Sequence, residues 1–185
     1  MRREPKPLGR DGSFFTVDYD SVILSDFLNQ EFKALVAYLR MFAKDFLRGF
    51  FDAEGYVSAV IDFGKGALVS ILVGVANTNN EYLSSVARAL SHLGIKTKIR
   101  RTNRRGEVMS IRGRSWIRKR DVYHCVVLGW VQVRSFCSLV GFHNEVKAEK
   151  LKDLIRIGSK SPEERFDWFM AHYEKRGRKW VKWAK

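Results

Sequence analysis

Apolar residues recur every three or four positions over residues 31–54, the spacing that places them on one side of a helix. After residue 55 the pattern changes to two β-rich runs, 56–63 and 67–76, which flank a Gly-Lys-Gly turn at 64–66. We therefore expect a long amphipathic helix that leads directly into an antiparallel strand pair. The apolar positions of the helix are Phe32, Leu35, Val36, Leu39, Phe42, Ala43, Phe46 and Leu47.

Helix and strand signals continue to alternate along the rest of the chain. The polar run 77–80 offers N-cap side chains to a helix that extends through Leu93 and stops at Gly94. This order predicts an α+β fold, with helices on one face of an antiparallel sheet and the other face free. The remaining predicted elements are strands at 95–103 and 121–128 with a longer hairpin between them, and helices near 130–139, at 144–157 and at 162–175.

Composition divides the chain into three parts. Residues 1–30 form an N-terminal extension, of which the first twelve residues mix prolines, glycines and charges and are typical of a mobile basic arm. Residues 31–157 form the core domain, and residues 158–185 form a C-terminal helix and basic tail. With 185 residues and 45% hydrophobic content, the chain is long and apolar enough to bury one real core.

The net charge points to a polyanionic partner. Thirty-four Lys and Arg residues against 20 Asp and Glu leave +14 at neutral pH, and nucleic acid is the simplest partner for that charge. An anionic membrane is the competing partner, but the sequence has no run of 18 apolar residues and no signal-peptide core at its start. We expect neither a membrane partner nor a small-molecule substrate.

Residues 96–120 hold most of the excess charge, with eleven Lys and Arg side chains against the single acid Glu107. Lys96, Lys98 and Arg100 alternate with uncharged residues, so a strand here would present cations on one face. A two-stranded ribbon with such a face fits the major groove of double-stranded DNA, whereas the alternative is a charged hairpin that is only solvated. The predicted DNA contacts are Lys96, Lys98, Arg100, Arg101, Arg104, Arg105, Arg112, Arg114, Arg118, Lys119 and Arg120.

The C-terminal tail is a second and weaker candidate for phosphate contacts, because six cations are interspersed there with two tryptophans. These residues are Lys175, Arg176, Arg178, Lys179, Lys182 and Lys185, with Trp180 and Trp183.

The cysteines and histidines do not show the spacing of a zinc site. Cys125 and Cys137 are too far apart for a paired metal ligand and too few for a disulfide framework. We expect both to be buried thiols in an intracellular, reducing compartment. The four histidines are scattered among predicted core and surface positions.

Residues 47–55 read Leu-Arg-Gly-Phe-Phe-Asp-Ala-Glu-Gly and carry the clearest chemical signal. Gly49 and Ala53 lie four apart, so a helix would place two small residues on one face and allow another helix to approach closely. Glu54 falls at the C-terminus of that helix, where the dipole disfavours a carboxylate unless a cation offsets it. Gly55 is predicted to end the helix in the left-handed conformation. Leu47, Phe50 and Phe51 are predicted to face the core.

This nonapeptide resembles the LAGLIDADG signature of homing endonucleases. Only Arg48 departs from it, where the signature usually has alanine, and we expect this side chain to face solvent. The resemblance is specific over nine residues and extends more loosely, in element order, over residues 31–157. It implies the LAGLIDADG homing endonuclease fold, in which a saddle-shaped antiparallel sheet grips DNA.

One copy of the signature implies the single-motif, intron-encoded branch of the family, whose members are homodimers. The signature helices of the two subunits would pack against each other at Gly49 and Ala53, and each subunit would hold half of a long pseudo-palindromic DNA site. The partners implied are therefore double-stranded DNA and a second copy of the chain.

The resemblance also implies the catalytic residues. Glu54 would bind divalent cations, Mg²⁺ with Mn²⁺ as a substitute, between the two carboxylates and the scissile phosphates. Asn77, or Thr78 if the alignment slips by one, would position the water network. Lys147, or alternatively Lys150, would support the phosphate or water. Asp52 is expected to be structural, as a helix cap at the interface.

The function implied is a site-specific DNA endonuclease that makes a metal-dependent double-strand break with short 3′ overhangs. The alternative is a LAGLIDADG protein that binds nucleic acid without cleaving it, or an intron RNA maturase. The presence of Glu54 favours cleavage, because a pure binder gains nothing from an acid placed near phosphates.

Overall fold

The computed structural model describes residues 6–8, 14–16, 41–111, 113–176 and 179–183. The chain forms two compact units, residues 1–38 and residues 39–185.

In the first unit, Lys6–Leu8 (β1) and Phe14–Thr16 (β2) form a short antiparallel pair. We did not predict this pair, which lies within the expected N-terminal extension. The first part of the predicted long helix, residues 31–40, lies outside the described residues.

The second unit combines helices with antiparallel strands, which confirms the α+β class. Its described helices are Ala43–Glu54 (α1), Asn80–His92 (α2), Trp130–Leu139 (α3), Glu145–Arg156 (α4) and Pro162–His172 (α5), with a 3₁₀ turn at Ile157–Ser159. Its described strands are Gly55–Asp62 (β3), Ala67–Asn77 (β4), Lys98–Asn103 (β5), Val108–Ile111 (β6), Arg114–Ile117 (β7), Val122–Leu128 (β8), Tyr173–Arg176 (β9) and Lys179–Lys182 (β10). None of the helices in these ranges is long and apolar enough to cross a membrane.

The main sheet is antiparallel and has the strand order β3-β4-β8-β5. Strands β6 and β7 form the predicted longer hairpin as a separate pair, and β9 and β10 form another. Val73 and Val75 of β4 lie opposite Val127 and Cys125 of β8, and all four side chains are fully buried. Because side chains alternate between faces, these residues define the core face of the sheet.

Helices α1, α2 and α3 close the core on that face. Leu47 and Phe51 of α1 are fully buried, as predicted, and the Phe51 ring packs 4.7 Å from the ring of Phe136 on α3. Cys125 is buried, as predicted, whereas Cys137 on α3 is only half-buried. The apolar spacing read from the sequence therefore corresponds to one continuous core between helices and sheet.

The opposite face of the sheet carries cations and partly exposed apolar side chains. Lys98 and Arg100 of β5 are exposed there and share a shallow hollow of about 290 Å³ with residues of the other three strands. The neighbouring lining residues are Val60, Leu72, Val126 and Leu128. We call this surface the open face, and it matches the predicted alternation of cations along β5.

The C-terminal segment differs from our prediction of a helix over 162–175. Helix α5 ends at His172, and β9 and β10 form a hairpin in place of the last helical turn and tail. The hydroxyl of Tyr173 donates to Asp153 of α4 (2.9 Å), and Lys182 forms ion pairs with Asp153 (2.9 Å) and Glu149 (2.5 Å). These contacts favour the hairpin over a helix, and they engage Lys182, which we had considered for phosphate contacts.

Gly55 also differs from its prediction. It has φ −79° and ψ 157°, which is extended backbone, so α1 passes directly into β3 without a left-handed residue. Glycine is required for a different reason: a Cβ at this position would lie 2.3 Å from the carbonyl oxygen of Phe51. The close approach of strand to helix, and not a positive φ, explains the residue.

Replacing Gly55 with alanine should destabilise the protein by about 1–3 kcal/mol or more, because the clash is with backbone that cannot move aside. Gly64→Ala is the matched control, since a Cβ there meets only the Asp62 carboxylate at 3.4 Å, and its effect should be about 0.5 kcal/mol or less. Urea unfolding at fixed protein concentration measures both. Equal midpoints for the two variants would contradict this account of Gly55.

Candidate active site and nucleic-acid interface

Helix α1 brings Glu54 to the protein surface. Its buried side, formed by Leu47 and Phe51, fixes the helix against the core, whereas Gly49, Ala53 and Glu54 are exposed. A Cβ added at Gly49 would meet no atom within 4 Å. Beside this buried side, α1 carries an apolar strip formed by Phe42, Phe46, Gly49, Phe50 and Ala53. Phe50, which was predicted to face the core, is half-buried against it, as is Phe46.

Lys147 lies at the C-terminus of α1. Its Nζ donates to the carbonyl oxygens of Phe51 (3.2 Å) and Asp52 (2.6 Å) in the last helical turn. The Phe51 oxygen also accepts from the backbone N–H of Gly55. A cation at this end interacts favourably with the helix dipole. Lys147, which sequence reasoning assigned to the same site as Glu54, therefore contacts the helix end at which Glu54 lies.

Asp52 was expected to be structural, as a helix cap, and it makes capping hydrogen bonds within its own chain. Its carboxylate accepts hydrogen bonds from the backbone N–H groups of His143 (3.0 Å) and Asn144 (3.0 Å). Asn144 in turn caps α4 by accepting from the Lys147 backbone N–H (3.1 Å). The end of α1 and the start of α4 are thus joined twice: the Asp52 side chain of α1 accepts from backbone before α4, and the Lys147 side chain of α4 donates to backbone of α1.

Arg48 does not simply face solvent, which corrects our prediction. Its Nε donates to the carbonyl oxygen of Val140 at the end of α3 (2.7 Å), and its Nη1 lies 3.1 Å from His143 Nε2. The carbonyl groups at the end of α3 lack helical partners, and a long cationic side chain on the neighbouring helix satisfies one of them. Arg48 therefore adds a third polar contact between α1 and the segment that leads into α4.

Asn77 ends β4 at the sheet edge where α1 delivers Glu54. Gly55 pairs with Val75, so Asn77 lies two residues farther along β4. Its Oδ1 accepts from the backbone N–H of Asn79 (2.8 Å), which caps α2. Thr78, the alternative, is exposed next to the longer hairpin. Asn77 therefore lies near the end of α1, whereas Thr78 lies beside the longer hairpin.

A cleft of about 640 Å³ lies beside the start of β3, and both candidate lysines line it. Lys150 donates from Nζ to the Trp180 carbonyl oxygen (2.9 Å), and burial lowers the pKa of Lys150 to about 8. The cleft therefore holds two amino groups, one on the α1 carbonyls and one on the C-terminal hairpin. Its lining residues are Gly55, Tyr56, Val57, Ser58, His124, Asn144, Val146, Lys147, Lys150 and Trp180.

Tyr56 and His124 form a pair in this cleft that sequence reasoning missed. The hydroxyl of Tyr56 lies 2.8 Å from Nδ1 of His124, and burial raises the pKa of the tyrosine and lowers that of the histidine. Gly74 lies opposite Tyr56, where a Cβ would come within 2.7 Å of the Tyr56 hydroxyl. A glycine inside a predicted strand was the available signal, because such a residue often marks a close approach.

The predicted DNA-contacting cations are distributed over several locations. Lys98 and Arg100 lie on the open face, and Lys96 precedes β5. Arg101 forms an ion pair with Asp121 (3.4 Å), whose pKa is lowered chiefly by the backbone N–H of Arg105. Arg118 is half-buried, and Arg112 lies outside the described residues. Exposed cations of the longer hairpin and its flanks are Arg104, Arg105, Arg114, Lys119 and Arg120.

The described side chains of one chain do not form a clustered metal site by themselves. Over residues 41–111, 113–176 and 179–183, no three His, Cys, Asp or Glu side chains form a metal-binding group. Near the end of α1, the Asp52 carboxylate is used as a cap, which leaves Glu54 as the acid available to a cation. Its exposed carboxylate has the hard oxygen donors that Mg²⁺ prefers, so it fits one ligand position of a shared site.

The family model described as a LAGLIDADG-like domain matches residues 41–141. This range starts just before α1 and includes the nonapeptide, the main sheet and α3. The chain belongs to the LAGLIDADG family.

A curated relative of this LAGLIDADG protein is an uncharacterized protein of Methanocaldococcus jannaschii, 30% identical over 139 residues. The match covers 75% of this chain and 47% of the relative, so the chain spans about half the length of the relative that it matches. A structural match to an archaeal intron-encoded homing endonuclease complexed with DNA has 21% identity and a TM-score of 0.33, and covers 54% of each chain.

Asp52→Ala should destabilise the LAGLIDADG domain by about 1–3 kcal/mol, because it leaves backbone N–H groups at the start of α4 without an acceptor. Asp167→Ala is the control, since Asp167 is exposed on α5 and the change should be within about 0.5 kcal/mol. Urea unfolding measures the two differences. A loss in Asp52→Ala no larger than that of the control would show that the link between α1 and α4 contributes no stability.

Proposed function

We propose that this LAGLIDADG protein is a homing-type, site-specific DNA endonuclease. It acts as a homodimer on a long pseudo-palindromic site and makes a metal-dependent double-strand break that leaves short 3′ overhangs. Family membership, the high positive charge and the cationic open face support this proposal.

The observation that carries the proposal is the contrast between Glu54 and its neighbours. Arg48, Asp52 and Lys147 each make hydrogen bonds that hold α1 in place. Glu54 is exposed at the end of the same helix and has no hydrogen-bond or ion-pair partner in the described part of the chain. Three polar groups are thus used to fix the position of one acid, an arrangement expected of a residue whose function depends on placement.

Glu54 from each of two subunits would hold the divalent cations, with phosphate and water oxygens completing their coordination. Bound Mg²⁺ would supply charge stabilisation at the phosphate and an activated water. Lys147 would keep positive charge near the acid. Asn77 would position the water network at the same end of the sheet. The second subunit is needed because one chain contributes one such carboxylate.

The apolar strip on α1 is the proposed contact between the subunits. Gly49 and Ala53 leave room for a second helix backbone, and the half-buried rings of Phe46 and Phe50 flank them. An isologous contact through this strip would place the two Glu54 residues symmetrically about the axis. The open faces of the two sheets would then each contact one half of the DNA site.

Glu54→Gln should reduce cleavage by orders of magnitude while leaving binding intact, because the amide keeps the shape of the side chain but loses the charge that holds the cation. Cleavage is measured in Mg²⁺ on DNA that carries the uninterrupted insertion locus, and binding in Ca²⁺. Glu163→Gln, on the exposed first turn of α5, is the matched control.

Equal cutting by wild type and Glu54→Gln would remove Glu54 from the mechanism. Tight binding by wild type with no cutting in Mg²⁺ or Mn²⁺ would instead identify a non-cleaving binder, and a preference for intron RNA would identify a maturase.

Gly49→Leu should disrupt the dimer and Mg²⁺-dependent cleavage together, because the added side chain separates the two helices. The monomer should remain folded, since the space around Gly49 is open. Lys44→Leu is the control: it adds an apolar side chain to an exposed position on a different side of α1. Light scattering of the free protein and of its DNA complex measures the number of chains. A single chain in an active wild-type complex would exclude the homodimer.

A further inference from the structure

The Tyr56–His124 pair has a fixed geometry on the open face. The Tyr56 ring extends across Gly74 of β4 to reach Nδ1 of His124 on β8, and the two ring centroids are 5.7 Å apart. Gly74 has no side chain to obstruct this path, so the contact spans three adjacent strands. A pair that crosses a strand in this way has little freedom to rearrange.

The chemistry of the two groups determines the direction of the hydrogen bond. A phenol is a stronger acid than a neutral imidazole N–H, and an imidazole nitrogen is a stronger base than a phenol oxygen, so the hydroxyl donates and Nδ1 accepts. Burial favours the neutral form of His124, because it lowers the pKa of the imidazole. A neutral imidazole that accepts at Nδ1 carries its proton at Nε2.

Cations lie on the same surface as His124. Arg100 of β5 lies directly opposite His124 in the sheet register, and Lys98 follows on the same face. Lys147 and Lys150 of α4 line the same cleft. In the described part of the chain, Nε2 of His124 has no hydrogen-bond partner, so this N–H group is available as a donor.

We propose that His124, with its tautomer set by Tyr56, is a specificity-determining residue that donates its Nε2–H to an acceptor on a base edge of the bound DNA. The acceptors of that kind in the major groove are purine N7, guanine O6 and thymine O4, whereas the amino groups of adenine and cytosine are donors and are rejected. The inference rests on the proposed DNA-binding function.

The first test needs no DNA. Long-range ¹H–¹⁵N correlation spectra of the free protein report which imidazole nitrogen carries the proton. Wild type should show His124 as a single neutral tautomer protonated at Nε2, and Tyr56→Phe should show a mixture of tautomers. A wild-type His124 protonated at Nδ1, or a tautomer unchanged by Tyr56→Phe, would overturn the assigned role of Tyr56.

The second test uses side chains that imitate one imidazole nitrogen at a time. His124→Asn places an amide near the position of Nδ1 and leaves nothing at Nε2, whereas His124→Gln places an amide near Nε2. Each variant is used to select binding sites from a randomised DNA library in Ca²⁺. His92→Asn, at the exposed end of α2, is the control.

Discrimination at one base pair, and at its symmetry mate, should fall about tenfold in His124→Asn and less in His124→Gln, with other positions unchanged. Tyr56→Phe should relax the same base pair. A uniform loss of affinity across all sequences would assign the contact to phosphate and overturn base recognition. Absence of sequence-selective binding by wild type would instead overturn the proposed function together with this inference, and the two failures are therefore distinguishable.

Discussion

The position of Glu54 depends on the hydrogen bonds that join the end of α1 to the start of α4. The Asp52 carboxylate accepts hydrogen bonds from the two backbone N–H groups just before α4. Lys147, on the first turn of α4, donates to carbonyl oxygens in the last turn of α1. Each helix end has backbone groups that the helix itself cannot satisfy, and here each end satisfies the other. If the helices separated, the N–H groups before α4 would lose their acceptor and the α1 carbonyl groups would lose the Lys147 donor, so the geometry is held by two mutually dependent contacts.

The sheet begins from the same point. Because Gly55 is extended and lies against the Phe51 carbonyl, β3 starts at the residue after Glu54 with no loop between them. The first strand residue after it is Tyr56, which crosses to His124. The backbone path of Glu54, Gly55 and Tyr56 therefore determines the positions of the acid, the start of the sheet and the tyrosine ring. Small changes in that path would alter all three at once.

Periodicity predicted the elements whose stability comes from one apolar face. The helix at 130–139 and the strand at 67–76 were found nearly at their expected bounds, because burial of alternate or every third or fourth residue is visible in a single sequence. The helix predicted over 162–175 begins at Pro162 but ends early, at His172, because Tyr173 and Lys182 are held by Asp153, a partner distant in sequence. The role of Arg48 was wrong for the same reason, since its acceptor is the Val140 carbonyl. For the site, the nonapeptide placed Glu54 at the end of α1, and the family resemblance placed Lys147 at the start of a later helix. The contact across Gly74 depends on strand register, which the sequence alone does not specify.

The segment that follows α3 has a consequence for how this protein can be shortened or recombined. The family match ends at residue 141, yet α4 supplies Lys147 and Lys150, and Trp180 of the last hairpin forms a wall of the cleft. Asp153, nearly buried, links α4 to both strands of that hairpin. A fragment cut at the family boundary would keep the contact of Arg48 with Val140 but lose those of α1 with His143, Asn144 and Lys147. Exchange of modules between such proteins would therefore preserve the site only if the crossover lay beyond Lys182.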